Sequence, residues 1–446
     1  MARPLTQPAH PARAEARSEV VIDPDRVPIA VAELECAAGA EPSLRLAARA
    51  EGRVPPGAVL ALVRAAGRPV GMVQAEIGPG EDAVTVLAAA ARARFADALA
   101  EPPPARPAAA RQPLVSVVVA TRDRPQLLAR CLESLAALEY PRYEVVVVDN
   151  NPATDATAEL VKARFADSVR YVREPRPGLA AAHNRGLAEA LGEVVAFTDD
   201  DVVVDPGWLD ALVGAFAEVP DAGCVTGLIL PARLATRAQA MLEAHGGFAK
   251  GFRRRVHHLA APPPDQPLFP FTAGRLGSGA NMAFRASPLR ALGGFDPATG
   301  TGTPARGGDD LLSFLRVLAA GHALVYQPEA LVWHHHRERQ EDLEAQAFGY
   351  GAGLGAYLTA AVAREPRLLP ALLRRLPGGV RYALTRTAAR PPDAATGEAV
   401  PGGHAWPAHL SRLERLGLLY GPVGYLRSRL RVRGTTLPWE VHQHGH

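Results

Sequence analysis

The sequence predicts an α/β protein built on a mostly parallel, Rossmann-like sheet with helices on both faces. Three observations predict it. Continuous β-branched runs such as LVSVVVAT (114–121) and YEVVVVDNN (143–151) have the pattern of strands buried on both faces. Segments of helical spacing separate these runs, and repeated strand–helix–strand units imply parallel pairing. The composition is globular: 48% hydrophobic and 21% charged residues supply enough apolar surface for a core.

At 446 residues the chain is long enough for two to three domains of about 150 residues each. Residues 1–19 hold no apolar run, so they read as a disordered lead-in rather than a signal peptide or anchor. Residues 20–101 read as a small N-terminal α+β domain. Within it, 59–77 suggests two strands joined by a turn at Gly67-Arg68-Pro69, and 84–101 has helical spacing. The stretch 102–113 (PPPARPAAARQP) is a Pro-stiffened linker.

The α/β domain then runs from 114 to 340. Strands are expected over 114–121, 143–151, 169–174 and 192–201. Helices are expected over 125–138, 156–165 and 179–191. The Pro-rich segment 257–271 is a long loop of the kind that often covers a site. Residues 341–446 form a basic helical region, with a second linker-like stretch at 388–408. Its uncharged run, 347–363, is Gly- and Ala-rich and shorter than the ~20 residues of a membrane span, so a buried or interfacial helix is expected.

A net charge of +3 is too small to argue for nucleic acid, and no such partner is expected. Three cysteines, far apart and odd in number, make neither a disulfide framework nor a zinc spacing. They fit a reducing, cytoplasmic compartment. The Arg- and Leu-rich segments 341–386 and 409–434 suit two roles equally. They could pack on the α/β domain, or make peripheral contact with the inner face of the plasma membrane.

Ligands of an open parallel sheet collect at the carboxyl ends of its strands. Here those ends read Thr121-Arg122-Asp123-Arg124, Asp149-Asn150-Asn151 and Asp199-Asp200-Asp201. Asp199 and Asp201 are two apart and face one way in extended chain. Their like charges call for a neutralising partner, and a divalent cation with oxygen ligands supplies one. Mg2+ or Mn2+ at that position would hold a diphosphate. Asp200 points elsewhere, toward a ribose or sugar.

VSVVVATRDRP, VVVVDNNP, RPGLAAAHNRGL (176–187) and VVAFTDDDV, in this order and spacing, resemble family-2 glycosyltransferases of the GT-A fold. The resemblance spans roughly residues 114–340. It implies that Thr121, Arg122 and Asp123 lie near the base and ribose of a nucleotide, with Asp149 also binding base or ribose. Arg176, Asn184 and Arg185 would approach donor phosphates or ribose. GRLGSGANMAFRAS (274–287) resembles the lining of the sugar and acceptor cleft, with Gly279 against the sugar and Asn281 bonding it. GGDD (307–310) resembles the region of the catalytic base, which implies Asp310 as base and Asp309 as its neighbour or acceptor contact. The chain departs from the family pattern at Leu312, where a further acid is usual. LVWHHHR (331–337) implies His334 as an additional metal ligand, with His336 as runner-up, and histidine suits Mn2+ better than Mg2+.

The resemblance implies an inverting transfer of sugar from a UDP-, GDP- or dTDP-linked donor to an acceptor hydroxyl. One base suffices for a single displacement, and no carboxylate nucleophile is required. The acceptor would be a cell-surface polysaccharide, a glycolipid or a small molecule. Two other readings fit part of the pattern. A non-catalytic sugar-binding or scaffolding homologue has no need of Asp310. A nucleotidyltransferase would share the acids without the GGDD helix and the WHHH strand.

Overall fold

The computed structural model describes residues 20, 22–37, 39–101, 112–385 and 406–432. The expected lead-in lies outside the described residues. So do the linker 102–113, except its last two residues, and the stretch 388–408, except its last three.

The N-terminal sheet has four strands, β1 (Ala30–Glu35), β2 (Ser43–Leu46), β3 (Gly57–Ala65) and β4 (Arg68–Ile77), in the order β2-β1-β3-β4. Helix α1 (Ala83–Ala100) packs against it, its first turn capped by the Asp82 carboxylate on the Val84 and Thr85 N–H groups. The β3–β4 turn falls at Ala66-Gly67, one residue earlier than the sequence suggests. Both residues have positive φ (50° and 76°), which a two-residue hairpin turn requires to match strand twist. Pro69 instead enters β4 at a register shift opposite Arg64, where a missing N–H is tolerated. The short strands β1 and β2 were not expected.

The main sheet has nine strands. They are β5 (Val115–Thr121), β6 (Tyr143–Asn150), β7 (Val169–Glu174), β8 (Val194–Asp199), β9 (Val202–Val204), β10 (Ala222–Pro231), β11 (Arg255–His257), β12 (Asn281–Arg285) and β13 (Ala323–His334). The order is β11-β13-β10-β12-β8-β5-β6-β7, with β9 paired to β13. β5 to β8 are mutually parallel along β8-β5-β6-β7, and β10 is parallel to β13. β12 runs antiparallel between β8 and β10, so all the long strands still point one way. Seven helices connect them: α2 (Pro125–Leu135), α3 (Ala156–Arg164), α4 (Leu179–Glu189), α5 (Trp208–Glu218), α6 (Arg237–Ala244), α7 (Ala286–Ala291) and α8 (Asp309–Ala319).

Alternation within each strand feeds both faces of the sheet. Val118, Val146, Val148 and Phe197 join Leu187, Phe284 and Phe314 on one side. Val117, Val119 and Val147 join Leu128, Leu132 and Trp208 on the other. A third apolar cluster fastens the N-terminal sheet to the main one, with Ile29, Val31, Leu60 and Leu62 against Leu228, Leu230 and Trp333. Beside it Arg64 bridges Glu33 (2.8 Å) and Asp205 (2.5 Å), all three largely buried. A buried guanidinium is tolerated because both of its carboxylate partners are in place.

The C-terminal part comprises α9 (Gln340–Arg364), α10 (Leu369–Thr385) and α11 (Ala408–Arg431). α9 and α11 approach so closely that a Cβ on Gly351 would lie 1.9 Å from the Glu414 carbonyl, and one on Gly417 2.2 Å from that of Phe348. This accounts for the Gly-rich run 347–363: it is the buried helix expected. Among the described residues no helix is long and apolar enough to cross a membrane.

Candidate active site at the carboxyl rim of the sheet

Strand register assembles the site. Thr121 sits level with Asp149 across β5 and β6, and Ala120 level with Asp199 across β5 and β8. The antiparallel β12 begins at the same rim, since Asn281 is paired with Thr198. The loop before β12 therefore meets the start of α8, and the Gly279 N–H donates to Asp310 Oδ2 (2.9 Å). β13 ends there as well, with His334 level with Pro231.

Asp199 and Asp201 do come together, by a route other than the one the sequence suggests. The chain turns after Asp199, and β9 then folds back onto β13. The turn, not extended alternation, brings Asp201 round, and the His335 N–H fixes the Asp201 carbonyl (2.8 Å). One ligand atom each from Asp199, Asp201 and His334 lies within 4.8 Å of the others. Asp201 Oδ1 is buried, without a hydrogen-bond donor among the described residues, 3.3 Å from His334 Nε2. Two carboxylates and an imidazole, with an orphaned oxygen among them, suit a divalent cation that accepts O and N ligands.

Electrostatics point the same way. Burial raises the proton affinity of Asp199 well above the usual carboxylate range, and the charges of Asp201, Asp200 and Asp309 add to it. Asp200 is pushed up to about 6 by burial and by Asp201, against the pull of Arg124 and the Thr121 hydroxyl. His334 is held down to about 4 by burial and is neutral near pH 7. Arg124 contacts Asp200 (3.1 Å) and Asp201 (3.2 Å). Burial works against its charge, but the aspartates outweigh this and hold it firmly protonated.

Asp309 and Asp310 open α8. Asp310 is half-buried, with its oxygens on the N–H groups of Gly279 and Leu311 (2.9 and 2.8 Å). Burial and the neighbouring Asp309 push its carboxyl up to about 6, against those two bonds. Asp309 Oδ2 lies 3.3 Å from Nδ1 of the buried His183, in a contact whose geometry falls short of a hydrogen bond. Sequence reasoning singled out Asn184 and Arg185 of the HNRG motif and passed over His183, whose partner Asp309 is distant in sequence.

At the end of β6, Asp149 is fully buried and accepts from the Tyr171 hydroxyl (2.9 Å), leaving Oδ1 without a partner among the described residues. Burial raises its proton affinity. Arg122 is exposed beside Asp123 (3.6 Å), and Asp123, at φ 55°, accepts from the Ala153 N–H. Arg176 is paired with Glu174 and lines a cleft with Gly302, Thr303 and Arg431. Asn150 anchors this loop, bonding the Arg176 carbonyl and the Gly178 N–H.

Five assignments need correction. Asp200 does not face a ligand: it is buried, accepting from Thr121 Oγ1 (2.7 Å) and Arg124. Asn184 is turned inward, both ends of its amide spent on the Phe295 backbone. Arg185, next to it, pairs with Glu189 one helical turn on. Asn281 is wholly buried, bonded to Trp208 Nε1 and to the Leu228 and Ala330 carbonyls, so it ties β12 to its neighbours and cannot bond a sugar. His336 lies behind His334 rather than beside it, with its ring against Glu243 (2.6 Å). In all but Arg185, whose pair with Glu189 is half-exposed, a polar side chain within a motif completes buried hydrogen bonds of the fold, which would otherwise be costly to leave unmade.

Residues 116–290 match the family described as Glycosyl transferase family 2. Pre-mycofactocin glycosyltransferase of Mycobacterium tuberculosis is 30% identical over 239 residues, 53% of this chain and 46% of that protein. Glucosyl-dolichyl phosphate glucuronosyltransferase of Haloferax volcanii is 27% identical over 193 residues, 42% of this chain and 57% of that one. The chain thus spans about half the length of these curated relatives. Among solved structures, mannosyltransferase PcManGT from Pyrobaculum calidifontis, in complex with GDP-Man and Mn2+, aligns with a TM-score of 0.43 at 20% identity, covering 78% of this chain and 93% of that one. Residues 116–290, which include the strand runs and the acidic turn, thus form a family-2 glycosyltransferase domain.

Proposed function

We propose that this chain is an inverting glycosyltransferase that moves a sugar from a nucleoside-diphosphate donor to an acceptor hydroxyl. The observation that carries it is the meeting at one rim of the Asp199, Asp201, His334 cluster with the Asp310 carboxylate. Asp199, Asp201 and His334 would hold Mn2+ or Mg2+, which when bound neutralises a diphosphate and eases its departure. Asp149 and the 121–123 loop would take the nucleoside, and Arg176 would approach the phosphates. Gly279 would line the sugar side.

Asp310 is the base in this reading. It is ionised at neutral pH, and its position favours proton transfer near that pH. The acceptor hydroxyl gives its proton to Asp310 as its oxygen bonds to the anomeric carbon. The bond from that carbon to the diphosphate oxygen breaks on the opposite face, and the configuration inverts. Asp309, held beside His183, would keep the acceptor side of the cleft negative.

The test is transfer or slow hydrolysis of UDP-, GDP- and dTDP-sugars with Mn2+, with and without chelator. Asp310→Asn should keep donor-induced thermal stabilisation and lose transfer. Unchanged turnover in that variant would remove the base assignment, and nucleotide transfer in place of sugar transfer would favour a nucleotidyltransferase. Relatives named for pre-mycofactocin and for glucosyl-dolichyl phosphate support a small-molecule or lipid acceptor over a protein.

A peripheral membrane contact is part of the proposal. α11 leaves Leu416, Leu419, Val423, Leu426 and Leu430 exposed, spaced alternately three and four residues apart, as one helical stripe. α10 does the same with Leu369, Leu373, Leu376 and Val380. Arg415, Arg427 and Arg431 flank the first stripe, and Arg374, Arg375 and Arg381 the second, while Glu414 is the only carboxylate on either helix. Leucines among arginines suit an anionic lipid surface. The chain should sediment with phosphatidylglycerol vesicles and not with phosphatidylcholine alone, and Leu419→Glu with Leu426→Glu should release it. Sedimentation unaffected by these changes would refute the contact.

A further inference from the structure

His336 is fully buried and stands outside the ligand cluster, yet it is in hydrogen-bonding distance of two side chains. Its Nε2 is 2.6 Å from Glu243 Oε1, and its Nδ1 is 2.8 Å from His334 Nδ1. His334 in turn directs Nε2 toward Asp201 Oδ1. The surroundings hold this line in place. Phe248 packs on both rings, with centroids 5.0 and 5.5 Å away. Helix α6, which carries Glu243, is started by a capping box of Thr236 and Gln239, and Gln239 Nε2 donates to the His336 carbonyl (3.1 Å).

The proton positions follow from donor and acceptor counting. A carboxylate only accepts, so His336 Nε2 carries a proton. With Nδ1 of His336 as the acceptor, the proton shared between the two Nδ1 atoms belongs to His334. That leaves the lone pair of His334 Nε2 bare beside the unpartnered Asp201 oxygen. A bare imidazole nitrogen facing a carboxylate oxygen is repulsive until a cation sits between them. A ligand histidine is commonly oriented through its other ring nitrogen in this way, but here a second histidine is inserted before the carboxylate.

We propose that Glu243 and His336 are positioning residues that fix the tautomer and aim of His334 toward a divalent cation. This rests on the cation reading given above. The experiment is Mn2+ titration of the full metal-free chain, with free Mn2+ followed by electron paramagnetic resonance. Glu243→Gln and His336→Phe should each weaken Mn2+ binding by about 10–100-fold; Glu243→Gln, which keeps an acceptor for His336 Nε2, should leave the melting temperature of the metal-free protein close to wild type, whereas His336→Phe should lower it by orphaning Glu243. In wild-type protein loaded with diamagnetic Mg2+, long-range 1H–15N spectra should place the proton of His334 on Nδ1 and that of His336 on Nε2. Wild-type Mn2+ affinity in both variants, or a His334 proton on Nε2 in the loaded protein, would overturn the relay. Should either variant misfold, the spectra of the unmutated protein decide. A wild-type chain that takes up no Mn2+ removes the cation reading and the relay with it, an outcome distinct from a failure confined to the variants.

Discussion

The rim holds two groups of aspartates with the same chemistry and opposite surroundings. In the 199–201 turn, three carboxylates share one guanidinium, Arg124, and face a neutral His334. At the start of α8, Asp310 rests on two backbone N–H groups and Asp309 on His183. The first group has one guanidinium for three carboxylates, and among the described residues Asp201 Oδ1 has no donor. In the second, Asp310 is supported well enough to remain ionised at neutral pH, and its raised proton affinity suits it to receive a proton. Under the proposed function, the first group's excess of negative charge suits a cation and the partial compensation of Asp310 suits a general base.

The most damaging change should be Asp201→Ala, which is expected to abolish Mn2+ uptake and sugar transfer together. Retained Mn2+ affinity, read by titration, would break the contrast between the two groups. Asp310→Asn comes next, with kcat lower by about 10²–10⁴-fold and Mn2+ and donor affinity unchanged. A smaller effect should appear with pH. Asp310, raised to about 6, keeps its proton to a higher pH than a free aspartate, and only its ionised form can act as base. Turnover should therefore fall as pH drops through about 6 and level off above it. Asp309→Asn removes the adjacent negative charge, so the acid limb of the pH profile should move to lower pH. An unmoved limb would mean that Asp309 does not govern Asp310. The mildest effect on chemistry is expected from Asn281→Ala. It should cost about 1–3 kcal/mol of stability by orphaning buried groups, with the donor KM of the folded protein unchanged. A raised KM at unaltered melting temperature would return Asn281 to the sugar site.

Much of the fold was legible because its signal is local. VSVVVAT and YEVVVVDN can scarcely be anything but buried strands, and Asp149 and Asp199 stand at their ends. The meeting of these ends with Gly279 and Asp310 depends on β12 running against its neighbours, which no local pattern reveals. Asn184 and Asn281 misled for a physical reason: an asparagine in a motif can serve a ligand or a backbone, and one sequence cannot tell which. His183 and Glu243 escaped notice because each acquires meaning only from a partner more than 90 residues away, Asp309 and His336 respectively. The exposed stripes of α10 and α11 could have been read from their spacing of three and four, although Pro377 and Pro422 inside those helices obscure it.

The seat of the N-terminal sheet on the back of β13 has a practical corollary for anyone engineering the chain. Trimming it to the segment that matches the family would wet Leu228, Leu230 and Trp333 and strip Asp205 of its guanidinium. Trp333 directly precedes His334, so slack introduced at that seam would reach the ligand cluster across a single peptide bond.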